Sequence, residues 1–415
     1  MQPAPLPLAG VRVIELTHAW AGPLCGMLLA DMGAEVIKVE PTDQETESRG
    51  GFPYVGGESV IFMMTHRNKK SVTIDIKNAR GREIFLDLVR TADILVQNMR
   101  PGSLERLALG YEDLKVINPR LIYTSVSGYG HKGPDACRAG VDQVAIAATG
   151  LAATTMSDAV GTPVALGTPV CDYTAAMWAC HGTLCAYIAR GKTGSGQAVD
   201  TSLFEAGLSL MIGPIAMHDH YPGYTSYRTS INGPSAFFLA GDNRYVSVFA
   251  SYPALWERFV DALQHSEITD NPLFKTRDQR TKNVKELHRV LRAIFATKPA
   301  QHWVKVLTEA GVPVSMVNTI GEALEHPQVE ALGLVHEQEH PTAGPIRLLG
   351  VPVTLSETPG RIRTPAPLLG EHTAEVLGQL GITESELWEL QVNSVVGSGP
   401  IRKLGRDKAA AAKGA

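Results

Sequence analysis

The amino-acid sequence predicts an α/β protein: a doubly wound, mostly parallel sheet in a Rossmann-like large domain, followed by a smaller α+β domain. Three observations predict it. β-branched runs alternate with amphipathic runs through the first third of the chain. Pro and Gly break that rhythm between residues 213 and 235, and 415 residues exceed what one hydrophobic core sustains.

The elements follow in order. VRVIEL (11–16), the apolar-periodic PLCGMLLADMG (23–33) and AEVIKVE (34–40) read as one βαβ unit. SVTIDI (71–76), the amphipathic REIFLDLVRTA (82–92), DILVQN (93–98) and RLIYTSVSG (120–128) continue the pattern. Crossovers of that kind join parallel strands and lay helices on both faces of a sheet. YTAAMWACHGTLCAYIA (173–189) is uncharged and Ala-rich, so a buried helix is expected there. These segments place a large domain at 1–212 and a linker at 213–235, where Pro214, Pro222, Gly223, Gly233 and Pro234 fall. Residues 236–325 carry the strands RYVSVFA (244–250) and GVPVSMV (311–317). With the helices PALWERFVDALQ and VKELHRVLRAIFA they read as a small α+β domain. Residues 326–395 have too little apolar content for a core of their own and are expected to return to the large domain. Residues 396–415 are expected to be a frayed tail.

Composition narrows the function. With 44% hydrophobic residues, 19% charged residues and a formal net charge of −4, the chain has no basic stripe to follow a nucleic-acid backbone. No run of about 18 apolar residues suggests a membrane span, and MQPAPLPLAGVRVIEL lacks the pattern of a secretory signal; the cytoplasm is the expected address. Cys25, Cys137, Cys171, Cys180 and Cys185 are odd in number and form no Cys-x-x-Cys pair, so reduced thiols and no metal site are expected.

Two glycine patterns imitate nucleotide loops. GYGHKG (128–133) fits G-x-G-x-x-G after a strand, but Pro134 and Asp135 follow where an apolar helix should begin. GKTGSG (191–196) lacks the leading glycine of a Walker loop, because Ala186 stands there. Neither is read as a cofactor site.

Asp172 is the only acid between Asp158 and Asp200, and it stands between an apolar stretch and the Ala-rich helix. Aspartate is a favoured helix N-cap, and a partly desolvated carboxylate is also a usable nucleophile. The two roles are compatible. At a helix N-terminus the group is expected to stay ionised, with backbone N–H groups nearby for an oxyanion.

Several motifs resemble the family III CoA-transferases, which include formyl-CoA, carnitine and benzylsuccinate CoA-transferases. They are GVRVIELTHAWAGPLCGMLLADMGAEVIKVE (10–40), NKKSVTIDI (68–76), NMRPGSLERLALGY (98–111), NPRLIYTSVSGYG (118–130), GKTGSGQAVDTSLFEA (191–206) and PLLGEHTAEVLGQLG (367–381). The resemblance implies that Asp172 is the nucleophile of an anhydride and aspartyl-CoA thioester mechanism. It further implies that CoA is a substrate, with no tightly bound cofactor, that a small carboxylic acid is the acceptor, and that two chains interlock as a homodimer. It assigns CoA contacts to His18, Ala19, Trp20, Asn98, Met99 and Arg106, with Lys69, Lys70, Arg100 and Arg138 as further phosphate partners. Asp142 matches an acidic position near the active site of some relatives.

Departures matter too. The family commonly has Phe where Met99 stands, and the glycine-rich flap of the formyl-CoA enzymes is missing near 233–243. Racemases of the same fold have a histidine in the place of Val141, and valine cannot move a proton. Racemase activity and a non-catalytic acyl-CoA-binding subunit are the alternatives. Tyr224, Tyr227, Arg228 and Asn232 are candidates for acceptor selectivity, Arg228 for a second carboxylate.

Overall fold

The structure, a computed structural model, describes residues 4–42, 49–156, 162–220 and 234–397. It divides into two compact units: Met1–Ala152 with Val164–Ser209 and Leu332–Ala415, and Ala153–Pro163 with Leu210–Ala331.

The first unit opens with the expected βαβ: β1 (Arg12–Leu16), α1 (Ala21–Asp31) and β2 (Glu35–Glu40). A hairpin, β3 (Tyr54–Val55) and β4 (Glu58–Ser59), and helix α2 (Val60–Thr65) lead to β5 (Lys69–Thr73). Next come α3 (Ala79–Thr91), β6 (Ile94–Gln97), α4 (Tyr111–Ile117) and β7 (Ile122–Ser127). They are followed by α5 (Asp142–Ala148), α6 (Val170–Thr193), β8 (Ala198–Ser202) and α7 (Leu203–Ser209).

Six strands pair in the order β5-β2-β1-β6-β7-β8, every neighbour parallel. The chain winds outward from β1 to β5, returns beside β1 as β6, and winds the other way to β8. Strand order therefore reverses between β1 and β6, the doubly wound arrangement that the sequence predicts.

Both faces of the sheet are largely apolar, as parallel strands covered by helices require. Val13, Val36, Ile94 and Ile122 pack against Cys25 and Leu29 of α1 and Ala175, Ala176 and Ala179 of α6. On the opposite face, Ile14, Ile37, Val72 and Leu95 pack with Phe85 and Leu88 of α3 and with Val376, Leu377 and Leu390 near the C-terminus. Small side chains on α6 let it lie close to the sheet: a Cβ at Gly182 would sit 2.7 Å from Val199 of β8.

In the second unit, α8 (Ile212–His220) precedes a three-stranded antiparallel sheet of β9 (Ala236–Leu239), β10 (Tyr245–Val248) and β11 (Val314–Met316), β10 in the centre. Phe238, Val246 and Val248 face a core of Trp256, Phe259, Leu291 and Phe295, which makes this unit α+β.

Two expected boundaries differ. Residues 212–220, assigned mostly to the linker, are helical, with Pro214 in the first turn, where its missing N–H breaks no helical hydrogen bond. The rest of the linker up to Gly233, with Tyr224, Tyr227, Arg228 and Asn232, lies outside the described residues, as does the tail beyond 397. The helix expected at 173–189 runs from Val170 to Thr193.

Candidate active site

In an open parallel sheet, the loops that leave two strands on either side of a reversal diverge and leave a crevice between them. Here these are the loops after β1 and β6. Residues Thr17–Trp20 connect β1 to α1, and Asn98 follows β6. Asn98 clamps the first loop: its Oδ1 accepts from His18 N at 2.9 Å and its Nδ2 donates to His18 O at 2.8 Å. Ala19 then takes a left-handed conformation with φ 56°. Gly22 is needed beneath this clamp, because a Cβ there would lie 2.6 Å from Thr17 Cγ2 and 2.9 Å from Asn98 Cγ. The loop thus has one fixed path across the reversal.

Trp20, at the end of this path, meets Tyr173 edge-on with ring centroids 5.6 Å apart. That contact brings the β1 loop to the first turn of α6, where Asp172 is found. Asp172 is the third helical residue, after Pro169 at the N-cap, and not the cap itself as its sequence context suggested. Capping is done from a distance: Asp142 Oδ1 accepts from Cys171 N at 2.7 Å and from Asp172 N at 3.2 Å. Two otherwise unpaired N–H groups of the helix terminus are thereby satisfied.

The same arrangement sets the chemistry of Asp172. Burial, and then the nearby Asp142, push its pKa up to about 7. The expectation that the helix terminus holds it fully ionised is therefore corrected, since desolvation and a like charge outweigh the helix dipole. Cys171, beside it, is buried, and its thiol is pushed up to about 12 by burial and by Asp142 and Asp172. It is a protonated packing residue.

The structure brings His18, Ala19, Trp20 and Asn98 together at the reversal, with Asp172 and Asp142 alongside through Trp20 and Tyr173. Met99 follows Asn98, its N–H donating to Gln97 Oε1 at 2.7 Å. Lys69 does not fit its expected role as a phosphate partner. Its buried ammonium lies 2.8 Å from Glu15 Oε2 and donates to the Pro23 carbonyl at 2.7 Å. Lys70 is tied to Glu35 at 2.8 Å and Glu375 at 2.7 Å. Arg100, Arg106 and Arg138 are exposed; Arg106 donates to Ser103 Oγ at 3.2 Å, and Arg138 lies 3.4 Å from Asp135 and over the Tyr129 ring. Among the described residues, no group of three or more His, Cys, Asp or Glu side chains is placed to hold a metal ion, and no helix is long and apolar enough to cross a membrane.

Sequence reasoning missed one cluster: Glu15, Lys38, His66 and Lys69 are all buried together at the base of the β1 loop. A signal was present. Glu15 and Lys38 interrupt VIEL and VIKV, strands that should be continuously apolar at the centre of a parallel sheet.

The model for CoA-transferase family III matches residues 8–373. The chain is 35% identical over 378 residues to the Homo sapiens succinyl-CoA:glutarate CoA-transferase, covering 90% of this chain and 86% of that protein. It is 34% identical over 402 residues to the succinyl-CoA–D-citramalate CoA-transferase of Chloroflexus aurantiacus, covering 95% of this chain and 99% of that one. A crystal structure of a CAIB/BAIF family protein from Brucella suis matches with a TM-score of 0.80 at 27% identity, covering 91% of this chain and 100% of that chain.

Proposed function

This chain belongs to CoA-transferase family III, and we propose that it moves coenzyme A from an acyl-CoA to a small carboxylic acid through covalent intermediates on Asp172. Membership makes it a transferase acting on CoA thioesters. The observation that carries the finer reading is the position of Asp172: first turn of α6, half-buried, one residue from the Tyr173 that touches the switch-point loop.

The chemistry follows from exchanging one activated acyl bond for another. The Asp172 carboxylate attacks the thioester carbonyl of the donor and expels CoA thiolate, forming a mixed anhydride. The thiolate attacks the aspartyl carbonyl and releases the donor acid, leaving an aspartyl-CoA thioester. The acceptor carboxylate attacks that thioester, expels the thiolate again and forms a second anhydride. The thiolate then takes the acceptor acyl group and frees Asp172. No ATP is needed, and each intermediate survives only where water is kept away. Trp20 and Tyr173 give the site an aromatic wall on the side of the β1 loop.

Glutarate and D-citramalate in the relatives' names are both dicarboxylic acids, which supports a dicarboxylate as one partner of the exchange. The test is incubation with a panel of acyl-CoA donors, succinyl-CoA among them, followed by mass spectrometry of the Asp172 peptide. A CoA-sized adduct that is absent in Asp172→Asn, together with a loss of turnover of at least about 10³-fold in that variant, is expected. Full turnover in Asp172→Asn would dismiss the mechanism. An α-proton exchanged with solvent deuterium, without CoA transfer, would favour a racemase instead.

The homodimer belongs to the same proposal. On α6, Met177, Trp178, His181, Cys185 and Ile188 leave an apolar stripe exposed in the single chain, which supports an interface there. Light scattering should give twice the chain mass of 44.6 kDa, and a monomer at micromolar concentration would oppose it.

A further inference from the structure

Lys38 is an expensive residue for the middle of a parallel sheet. Its side chain is 1% exposed, yet its carboxylate contact is the longer of the two lysine contacts to Glu15, 3.4 Å to Oε1 against 2.8 Å between Lys69 and Oε2. Its shortest bond goes elsewhere, to the carbonyl of Thr17 at 2.7 Å. Thr17 is also held by its hydroxyl, which donates to Glu15 Oε1 at 2.7 Å. The next residue, His18, is fixed at both backbone groups by Asn98, and Ala19 turns left-handed immediately after. Two consecutive residues of one loop are thus each pinned twice.

Room for this arrangement is made on α1. Gly22 admits Thr17 and Asn98, and Gly26, one turn later on the same face, admits Glu15, whose Oε2 a Cβ would overlap. Glycine is a poor helix former, so both positions are kept open at some cost to α1. His66 completes the cluster as a neutral ring. Its Nδ1 is 3.0 Å from the Phe62 carbonyl, its face stacks on Phe62 at 3.9 Å, and burial with the Lys69, Lys38 and Arg49 charges holds it well below its ordinary pKa. Glu40 and Arg49 pair separately at 2.9 Å. A buried charge cluster is a poor source of stability compared with apolar packing, so its retention calls for another reason.

We propose that Lys38 and Glu15 are positioning residues for acyl-CoA: by holding Thr17 they fix the Thr17–Trp20 loop in the form that receives the CoA moiety. The inference rests on the transferase reading above, and it assigns to two side chains that touch no substrate the task of pre-paying the ordering of the loop. Their loss should therefore weaken CoA binding and leave the chemistry at Asp172 largely intact.

The experiment compares wild type, Lys38→Met and Thr17→Val by calorimetric titration with free CoA and by steady-state kinetics. Lys38→Met is one atom shorter but keeps an unbranched apolar stem in that place and leaves Glu15 paired with Lys69, so the fold should be retained. Expected are a Kd for CoA and a KM for acyl-CoA raised about tenfold or more, with kcat at saturation within about threefold. Thr17→Val removes only the hydroxyl bond to Glu15 and should raise both several-fold. A folded Lys38→Met with the Kd of wild type overturns the proposal, as does a fall in kcat with KM unchanged. Should Lys38→Met fail to fold, a Thr17→Val variant that binds CoA like wild type overturns it equally. Wild type that neither binds CoA nor forms the Asp172 adduct would sink the transferase reading, and this inference with it. Loss of the positioning effect alone leaves that reading standing.

Discussion

A carboxyl group partly withdrawn from water and beside a second carboxylate keeps its proton to higher pH than it would in solution, and Asp172 meets both conditions. Its pKa of about 7 makes pH a direct reporter on the mechanism. In the proposed mechanism the attacking species is the ionised form, so kcat/KM should rise with pH through about 7, level off above it, and fall about tenfold per pH unit well below it. Asp142 supplies part of that shift while accepting the N–H groups of Cys171 and Asp172 through Oδ1. Asp142→Asn retains an oxygen in that place and removes the charge. The acid limb should therefore move to lower pH while the thermal midpoint stays close to wild type; a pH profile of kcat/KM for both proteins checks it, and an unmoved limb would show that Asp142 does not set the nucleophile. The solitary acid at 172 was visible in the sequence because nothing charged surrounds it, and Asp142 was visible as a candidate. Their relation was not, since a hydrogen bond across 30 residues leaves no mark on local composition.

Elements were legible where periodicity speaks for them. β1, β2, β6 and β7 fall within a residue or two of the apolar runs that predicted them, α1 follows the apolar-periodic run and α3 the amphipathic one. The start of α6 was read three residues late for a definite reason. Asp172 resembles an N-cap and so draws the expected start to Tyr173, whereas the helix begins at Val170 and its exposed N–H groups at Cys171 and Asp172 are satisfied by Asp142 on α5. A similar tertiary demand explains the glycines of α1, which helix propensity alone would replace. At Gly26 a methyl group would overlap the Glu15 carboxylate, and that group cannot swing away while Lys69 and Thr17 hold it. Gly26→Ala should thus destabilise the protein by about 1–3 kcal/mol, against the roughly 1 kcal/mol of stabilisation expected from propensity in an unconstrained helix. Chemical denaturation measures the sign; a stabilised variant would mean that Glu15 is free to relocate.

At the scale of the whole molecule, the sheet of the first unit is closed by chain that arrives more than 300 residues after β1. His372 N donates to Ser71 O at 2.9 Å, Asp75 N to Val395 O at 2.9 Å, and Val396 bridges Ile74, so the C-terminal segment is pinned along the β5 edge. Between these anchors Val376, Leu377 and Leu390 enter the same core as Ile14, Ile37 and Phe85. Sequence reading expected this segment to return because it lacks a core of its own; which face it covers depends on the order of strands, and that order is fixed by tertiary contact. The consequence is that the sheet beneath the candidate site depends for its stability on distant residues. Leu377 is 0% exposed, and Leu377→Ala should cost about 2–5 kcal/mol through lost burial and the cavity left behind. Because Leu377 packs under the strands that carry the β1 loop, the unfolding that follows should remove CoA binding and helical signal in one transition. Thermal melts followed in parallel by circular dichroism and by CoA-dependent tryptophan fluorescence test this. Two separate transitions, with binding outlasting the loss of the helices Thr373–Gln379 and Glu384–Val392, would show instead that the segment is an independent cover over a sheet that stands without it.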